Sequence, residues 1–211
     1  MKNRNQVFSY IDQAQTGGKF SFLFRIDKVR LEEQHWYTVN DPEDLFLNKP
    51  LVAWFRAANV PPEVAFTFTL ANVQLNQREP DREVAQLGQL FRAIRMDGRS
   101  EDDIIIAGDF VSSDQQIREL KSKSGLVSAI EGTATNTRND TQLDNLVFDP
   151  RATIEFTGKS GVFDFMKRFN LTLVDAMSIS NRMPIWAEFS SVEGRLPGRA
   201  AEAHWGSGAS R

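Results

Sequence analysis

Two carboxylates stand out for where they sit. Asp109 follows the apolar run Ile104-Ile105-Ile106-Ala107 and Gly108. That places it at the C-terminal end of a strand covered on both faces, where α/β proteins gather their ligands. Asp144 lies in Leu143-Asp144-Asn145-Leu146-Val147, a second strand-like run. A carboxylate in such a position orients water or holds a metal ion; the plainer alternative for Asp109 is a solvated side chain closing a strand. Groups able to move protons are scarce. The chain has two histidines, His35 in an early His-Trp-Tyr run and His204 in a Gly/Ala-rich tail, and no cysteine. Disulfides, thiolate metal sites and a cysteine nucleophile are thereby excluded. Ser180-Asn181-Arg182, just before the strand-like stretch up to Phe189, offers an amide that does not titrate and a guanidinium. With a pKa above about 12, arginine accepts no proton near neutral pH.

The elements that must hold these residues follow from pattern. Phe20–Arg25, a turn at Asp27-Lys28 and a run from Val29 predict a strand, turn and strand. Leu51–Phe55 and Val64–Leu70 read as strands around an Asn59–Glu63 turn. Pro80 opens a helix whose Val84, Leu87, Leu90, Phe91 and Ile94 recur at three- and four-residue spacing. Ser112–Lys123 is a second helix, capped by Ser112 or Ser113, and Gly132–Asp140 is a polar loop. Leu143–Phe148, Thr153–Phe156 and Pro184–Phe189 read as strands, and Val162–Phe169 as a short helix. Strand, helix and strand in succession are the rhythm of an α/β protein. Trp54 and Trp186 read as core aromatics, the pair Asp102-Asp103 as a solvated loop, and Lys121-Ser122-Lys123 and Lys167-Arg168 as surface charge. Gly158-Lys159-Ser160 lacks the upstream glycine a phosphate loop needs.

The 211 residues fit one domain, and 25 Lys+Arg against 28 Asp+Glu give a net charge of −3, with no bulk attraction to phosphate backbones. No secretory apolar core opens the chain and no stretch reaches the roughly 20 apolar residues of a spanning helix, so a cytoplasmic protein without membrane association is expected.

At Gly108-Asp109-Phe110 the pattern becomes specific: an apolar strand ending in Gly-Asp-Phe resembles the Gly-Asp-Phe-Asn motif of the endonuclease/exonuclease/phosphatase superfamily. Leu143–Val147 resembles that family's strand beginning with a Tyr-Asp pair, and Ser180-Asn181-Arg182-Met183-Pro184-Ile185 its closing Ser-Asp-His-x-Pro-Val. Phe22–Val29, Asn48–Val52 and Phe163-Asp164-Phe165 resemble the deoxyribonuclease-I-like branch, and all six segments keep the family order. The resemblance implies a four-layered α/β sandwich that this chain enters late, as an N-terminally truncated domain. It divides the chain into an N-terminal extension (1–19), the domain (20–190) and a flexible tail (191–211).

The same resemblance implies metal-assisted attack of water on a phosphate ester, with Mg²⁺ or Mn²⁺ held at Asp109. Asp109 and Asp144 are the retained family positions. Val111 stands where the motif has Asn, Asn72 where it has one His, Asn181 where it has a metal-orienting Asp, and Arg182 where it has the final His. Asn48 falls near the family's phosphate-contacting Arg, with Lys49 beside it. Asp144 is suited to a salt bridge with Arg182, or else to solvent. The expectation is a catalytically degenerate relative that acts by binding. The alternatives are a divalent-metal-dependent phosphodiesterase or nuclease, and a structural subunit. Phosphate esters or nucleic acid are the implied ligands, and a homo-oligomer or partner subunit is expected from apolar surface left uncovered.

Overall fold

The computed structural model describes residues 8–16, 19–46, 48–75, 80–110 and 114–194. Val111, the Ser112/Ser113 cap and His204 lie outside the described residues, as does the side chain of His35. In chain order the strands and helices are β1 (Phe8–Asp12), β2 (Ser21–Arg25), β3 (Val29–Thr38), β4 (Leu51–Ala57), β5 (Thr67–Gln74), α1 (Pro80–Arg95), β6 (Ile104–Asp109), α2 (Asp114–Ser124), β7 (Val127–Ser128), β8 (Asp144–Phe148), β9 (Phe156–Val162), α3 (Phe165–Arg168), α4 (Leu173–Ile179) and β10 (Ile185–Phe189).

A six-stranded sheet ordered β3-β4-β5-β6-β8-β7 forms the centre. β5 and β6 run parallel because α1 carries the chain back between them; the other neighbours are antiparallel. The predicted stripe on α1 does bury: Leu87, Leu90, Phe91 and Ile94, with Leu120 of α2, pack on Val52, Ala71, Val73, Ile104, Ile106 and Val147. Each such side chain contributes about 1.5–3 kcal/mol on leaving water.

The opposite face is covered by two separate two-stranded sheets, β1-β2 and β9-β10. Ile11, Phe20 and Phe22 pack on Leu51, Ala53 and Phe55 of β4, while Phe156 and Phe189 meet Phe148 of β8 at 5.0 and 5.8 Å between ring centroids. A chain of aromatic contacts runs between the two halves. Phe22 touches Phe55, Phe55 stacks on Phe68 at 5.6 Å, Phe68 on Phe66 at 5.1 Å, and Phe66 on Phe189 at 6.1 Å. These separations fall within the favourable range for aromatic pairs, about 4.5–7 Å. Helices, central sheet, second β layer and the α3–α4 pair make the α/β sandwich expected from the sequence.

Several local expectations are corrected. Phe8–Asp12 is no extension but a strand, paired with β2 from Phe8↔Arg25 to Asp12↔Ser21 and contributing Ile11 to the core. Residues 191–194 are part of the fold, since Phe66 N–H donates to the Ser191 carbonyl and Glu193 N–H to that of Val64; 195–211 lie outside the described residues. Val64 ends a 3-10 turn set by Pro61-Pro62, so β5 begins later than its alternation suggested. Thr153 sits in a turn, with its N–H bonded to the Asp149 carbonyl, and β9 starts at Phe156. Val162 belongs to that strand and not to a helix. Trp186 is 45% exposed, its ring lying over Gly161 on an outer strand. Asp103 is buried, because its N–H is held by the Glu101 carboxylate and its carbonyl pairs into β5.

Candidate functional site

Asp109 ends β6 and Asp144 begins β8, and the antiparallel register sets them directly opposite each other. On its other side Asp109 is in register with Gln74 of β5, whose side chain accepts from Asn48 Nδ2 at 2.9 Å. One row of polar groups thus closes this end of the sheet. Gly108 makes the row possible. Its φ is +146°, and a Cβ placed there would stand 1.9 Å from the Val73 carbonyl oxygen.

Arg182 reaches this row from the far end of the sequence. Its Nη2 donates to Asp109 Oδ2 at 3.1 Å and its Nε lies 3.6 Å from Asp144 Oδ2. The three side chains are 25% (Arg182), 15% (Asp109) and 17% (Asp144) exposed. The Asp144–Arg182 pairing considered from sequence is therefore present, and Asp109 shares it.

The Gly132–Asp140 loop, read from sequence only as polar, is what fixes this arrangement. Asn136 and Arg182 form an antiparallel bridge, Thr137 N–H donates to the Asn181 carbonyl at 3.1 Å, and Met183 N–H to that of Thr135 at 2.7 Å. Thr135, fully buried, donates its hydroxyl to Asp144 Oδ2 at 2.9 Å and accepts the N–H groups of Leu143 and Asp144. Thr137 donates to the Ser180 carbonyl at 2.7 Å, and Ser180 Oγ accepts from Arg182 N–H at 3.0 Å. Thr135, Thr137 and Ser180 are thus supporting residues that sequence reasoning missed; the alternate Thr133, Thr135 and Thr137 were the available signal.

The remaining expected positions contribute less. The Asn181 side chain is exposed, so this amide faces water. Asn72 sits in register between Leu51 and Ala107, one row short of the Gln74–Asp109 pair. Lys49 is exposed, its carbonyl accepting from Gln13. A cavity of about 390 Å³ opens beside Arg182, lined by Ala107, Gly108, Leu146 and Met183–Ile185 together with Asp144 and Ser180. Burial pushes the Asp144 carboxyl above its ordinary range. The Thr135 hydrogen bond and the Arg182 charge pull it down, and the Asp109 charge pushes it up again.

This donor set does not fit the Mg²⁺ or Mn²⁺ implied by the resemblance. Asp109 Oδ2 accepts from a guanidinium, and the Asp144 carboxylate faces the same group. The chain supplies its own cation at this point.

A sandwich of this build is consistent with the deoxyribonuclease-I-like fold. Its relatives and fold neighbours support an assignment to the endonuclease/exonuclease/phosphatase superfamily, in the deoxyribonuclease-I-like branch. It is 24% identical over 189 residues to deoxyribonuclease-1-like 1 of Rattus norvegicus, covering 85% of this chain and 59% of that protein. With deoxyribonuclease gamma of Rattus norvegicus it shares 21% over 201 residues, 86% of this chain and 64% of that one. The chain spans about three fifths of the length of the curated relatives it matches. Among solved structures, humanized D. rerio TDP2 superposes with a TM-score of 0.57 at 14% identity, over 89% of this chain and 76% of that one. No family model matches the chain. No helix among the described residues is long and apolar enough to cross a membrane.

Proposed function

We propose that this domain binds and does not cleave: a superfamily member whose metal and proton-transfer centre is replaced by a fixed guanidinium, with phosphate esters or nucleic acid as its ligands. The observation that carries this reading is Arg182 held between Asp109 and Asp144. A guanidinium cannot relay protons at neutral pH, and loss of one general acid–base group typically costs about 10²–10⁴ in rate. The ligand class rests on the deoxyribonuclease relatives and on a fold neighbour, D. rerio TDP2, solved with a single-strand DNA product. The test is incubation of the purified protein with DNA, RNA and phosphate monoesters in Mg²⁺ or Mn²⁺. Turnover is expected to match an Asp109→Ala control, while anisotropy of a labelled single-stranded oligonucleotide reports binding that weakens with salt. Asp109-dependent hydrolysis would instead establish a metal-dependent phosphodiesterase.

A second reading, an interaction subunit, is favoured by the outer face of β1-β2. Tyr10 and Leu23 are cross-strand partners there and are 66% and 72% exposed, with Phe8 exposed beside them. Contiguous apolar surface of this kind marks partner contacts. Light scattering at micromolar concentration is expected to show self-association; a clean monomer would count against this reading.

A further inference from the structure

We propose that Asp103, Glu155 and Glu193, together with the Thr153 hydroxyl, form a divalent-cation site of the calcium class at the end of the sandwich remote from Asp109. Asp103 precedes β6, Glu155 precedes β9 and Glu193 follows β10. A shared ion would therefore fasten the central sheet to the β9-β10 pair. Six residues of strand separate Asp103 from Asp109, about 20 Å at the usual rise per residue.

The three residues each present a carboxylate oxygen within 4.8 Å of the other two. Asp103 and Glu155 are both 3% exposed. Three like charges that close, largely out of water, repel strongly unless a cation or protons intervene. Among the described residues none of the three is in an ion pair; the nearby Arg95 is spent on Asp102, at 3.8 Å. The neighbouring Glu101 is also committed, accepting from Asp103 N–H and from Trp54 Nε1, each at 2.9 Å. Glu155 Oε1 accepts from Gly194 N–H at 2.6 Å.

What remains points to a ligand. Asp103 Oδ1 and Glu155 Oε2 are buried with no hydrogen-bond partner. So is a group outside the acidic set, Thr153 Oγ1, which is 1% exposed; it faces the Asp103 carboxyl closely enough to pull its pKa down, without the geometry of a formed hydrogen bond. A buried hydroxyl without a partner costs free energy unless something accepts its lone pair. Two carboxylate oxygens and a neutral hydroxyl, with Glu193 as the half-exposed fourth donor, make an all-oxygen set. Hard cations such as Ca²⁺ take such sets, and nitrogen- or sulfur-seeking metals do not.

Without an ion the cluster must keep protons. Burial and the charges of Glu155, Glu193 and Glu101 push Asp103 up to about 9, and burial and Glu155 push Glu193 up to about 7.

The experiment uses the full chain, freed of metal with EDTA, titrated with CaCl₂ and separately with MgCl₂ at pH 8, with thermal unfolding and calorimetry as readouts. At Ca²⁺ about 100-fold above its dissociation constant, the midpoint is expected to rise by about 5–10 °C for a chain of this size. Glu155→Gln keeps the shape, relieves the repulsion and exchanges a charged ligand for a neutral one, so it is expected to be at least as stable as wild type in EDTA and to bind Ca²⁺ at least about tenfold more weakly. Thr153→Val is expected to weaken Ca²⁺ binding severalfold. A wild-type midpoint unmoved by either ion, or a Ca²⁺ affinity undiminished in Glu155→Gln, overturns the proposal.

Discussion

Replacing Arg182 with alanine is expected to cost about 2–4 kcal/mol of stability at neutral pH, below the full penalty for a completely buried pair because these groups keep some solvent contact. The substitution leaves Asp109 and Asp144 facing each other across an antiparallel pair without the guanidinium they share. Backbone bonds from Thr137 to the Asn181 carbonyl and from Met183 to Thr135 survive, so the loss reports the charge itself. The pH dependence has a definite sign. Asp144 already has a raised pKa with Arg182 present, and losing the guanidinium raises it further. The folded variant then binds protons that the unfolded chain releases just above the ordinary carboxylate range. Its stability therefore falls as pH rises through the raised pKa and recovers below it. Urea denaturation of wild type and Arg182→Ala at pH 7.5 and 4.5 should show the gap between them shrinking at the lower pH. Arg182→Lys should fall between, since an ammonium cannot engage both carboxylates with a planar fork. Equal stability of Arg182→Ala and wild type at pH 7.5 would remove the basis for the ion-pair centre.

Gly108→Ala is expected to do more damage than alanine at any other glycine among the described residues. At φ +146° an L side chain is strained, and the new Cβ would sit 1.9 Å from the Val73 carbonyl oxygen, far inside van der Waals contact. Backbone cannot yield as a flexible side-chain tip would. β5 and β6 would have to separate where Val73 and Gly108 are in register, taking the Asp109 end of the row with them. A loss beyond about 4–5 kcal/mol is anticipated, enough to unfold an ordinary domain. Soluble expression and the far-ultraviolet circular dichroism melt provide the check. Gly132→Ala is the natural comparison: it too has positive φ, at +62°, but no atom within 4 Å of its Cβ, and should lose only about 1 kcal/mol.

The centre of the molecule could be read in the sequence because local and tertiary demands coincide there. Ile104–Ala107 is apolar on both faces because both faces are buried, and Leu87, Leu90, Phe91 and Ile94 keep helical spacing because one side of α1 meets the sheet. What escaped was set by neighbours. β9 contains Gly158, Lys159 and Gly161, poor strand formers, and extends only because β10 pairs with it. In α4, Leu173, Val174 and Ile179 are exposed and only Ala176 is buried, so no apolar stripe appears; the Thr172 cap on Asp175 N–H was the one readable sign. Asp103 looked solvated beside Asp102, and only the approach of Glu155 and Glu193 from distant segments reveals otherwise. The Arg182 pairing was legible because two motifs at fixed strand ends brought it into view. The threonines that hold it sit in an irregular loop, where periodicity has no purchase.

The aromatic file from Phe22 through Phe55, Phe68 and Phe66 to Phe189 has a mechanical consequence. The two small sheets share no ladder, yet each leans on the same unbroken stack of rings, which acts as a strut of fixed length. Loosening one wing removes support from the other, so the wings should lose protection against amide exchange together and not in turn.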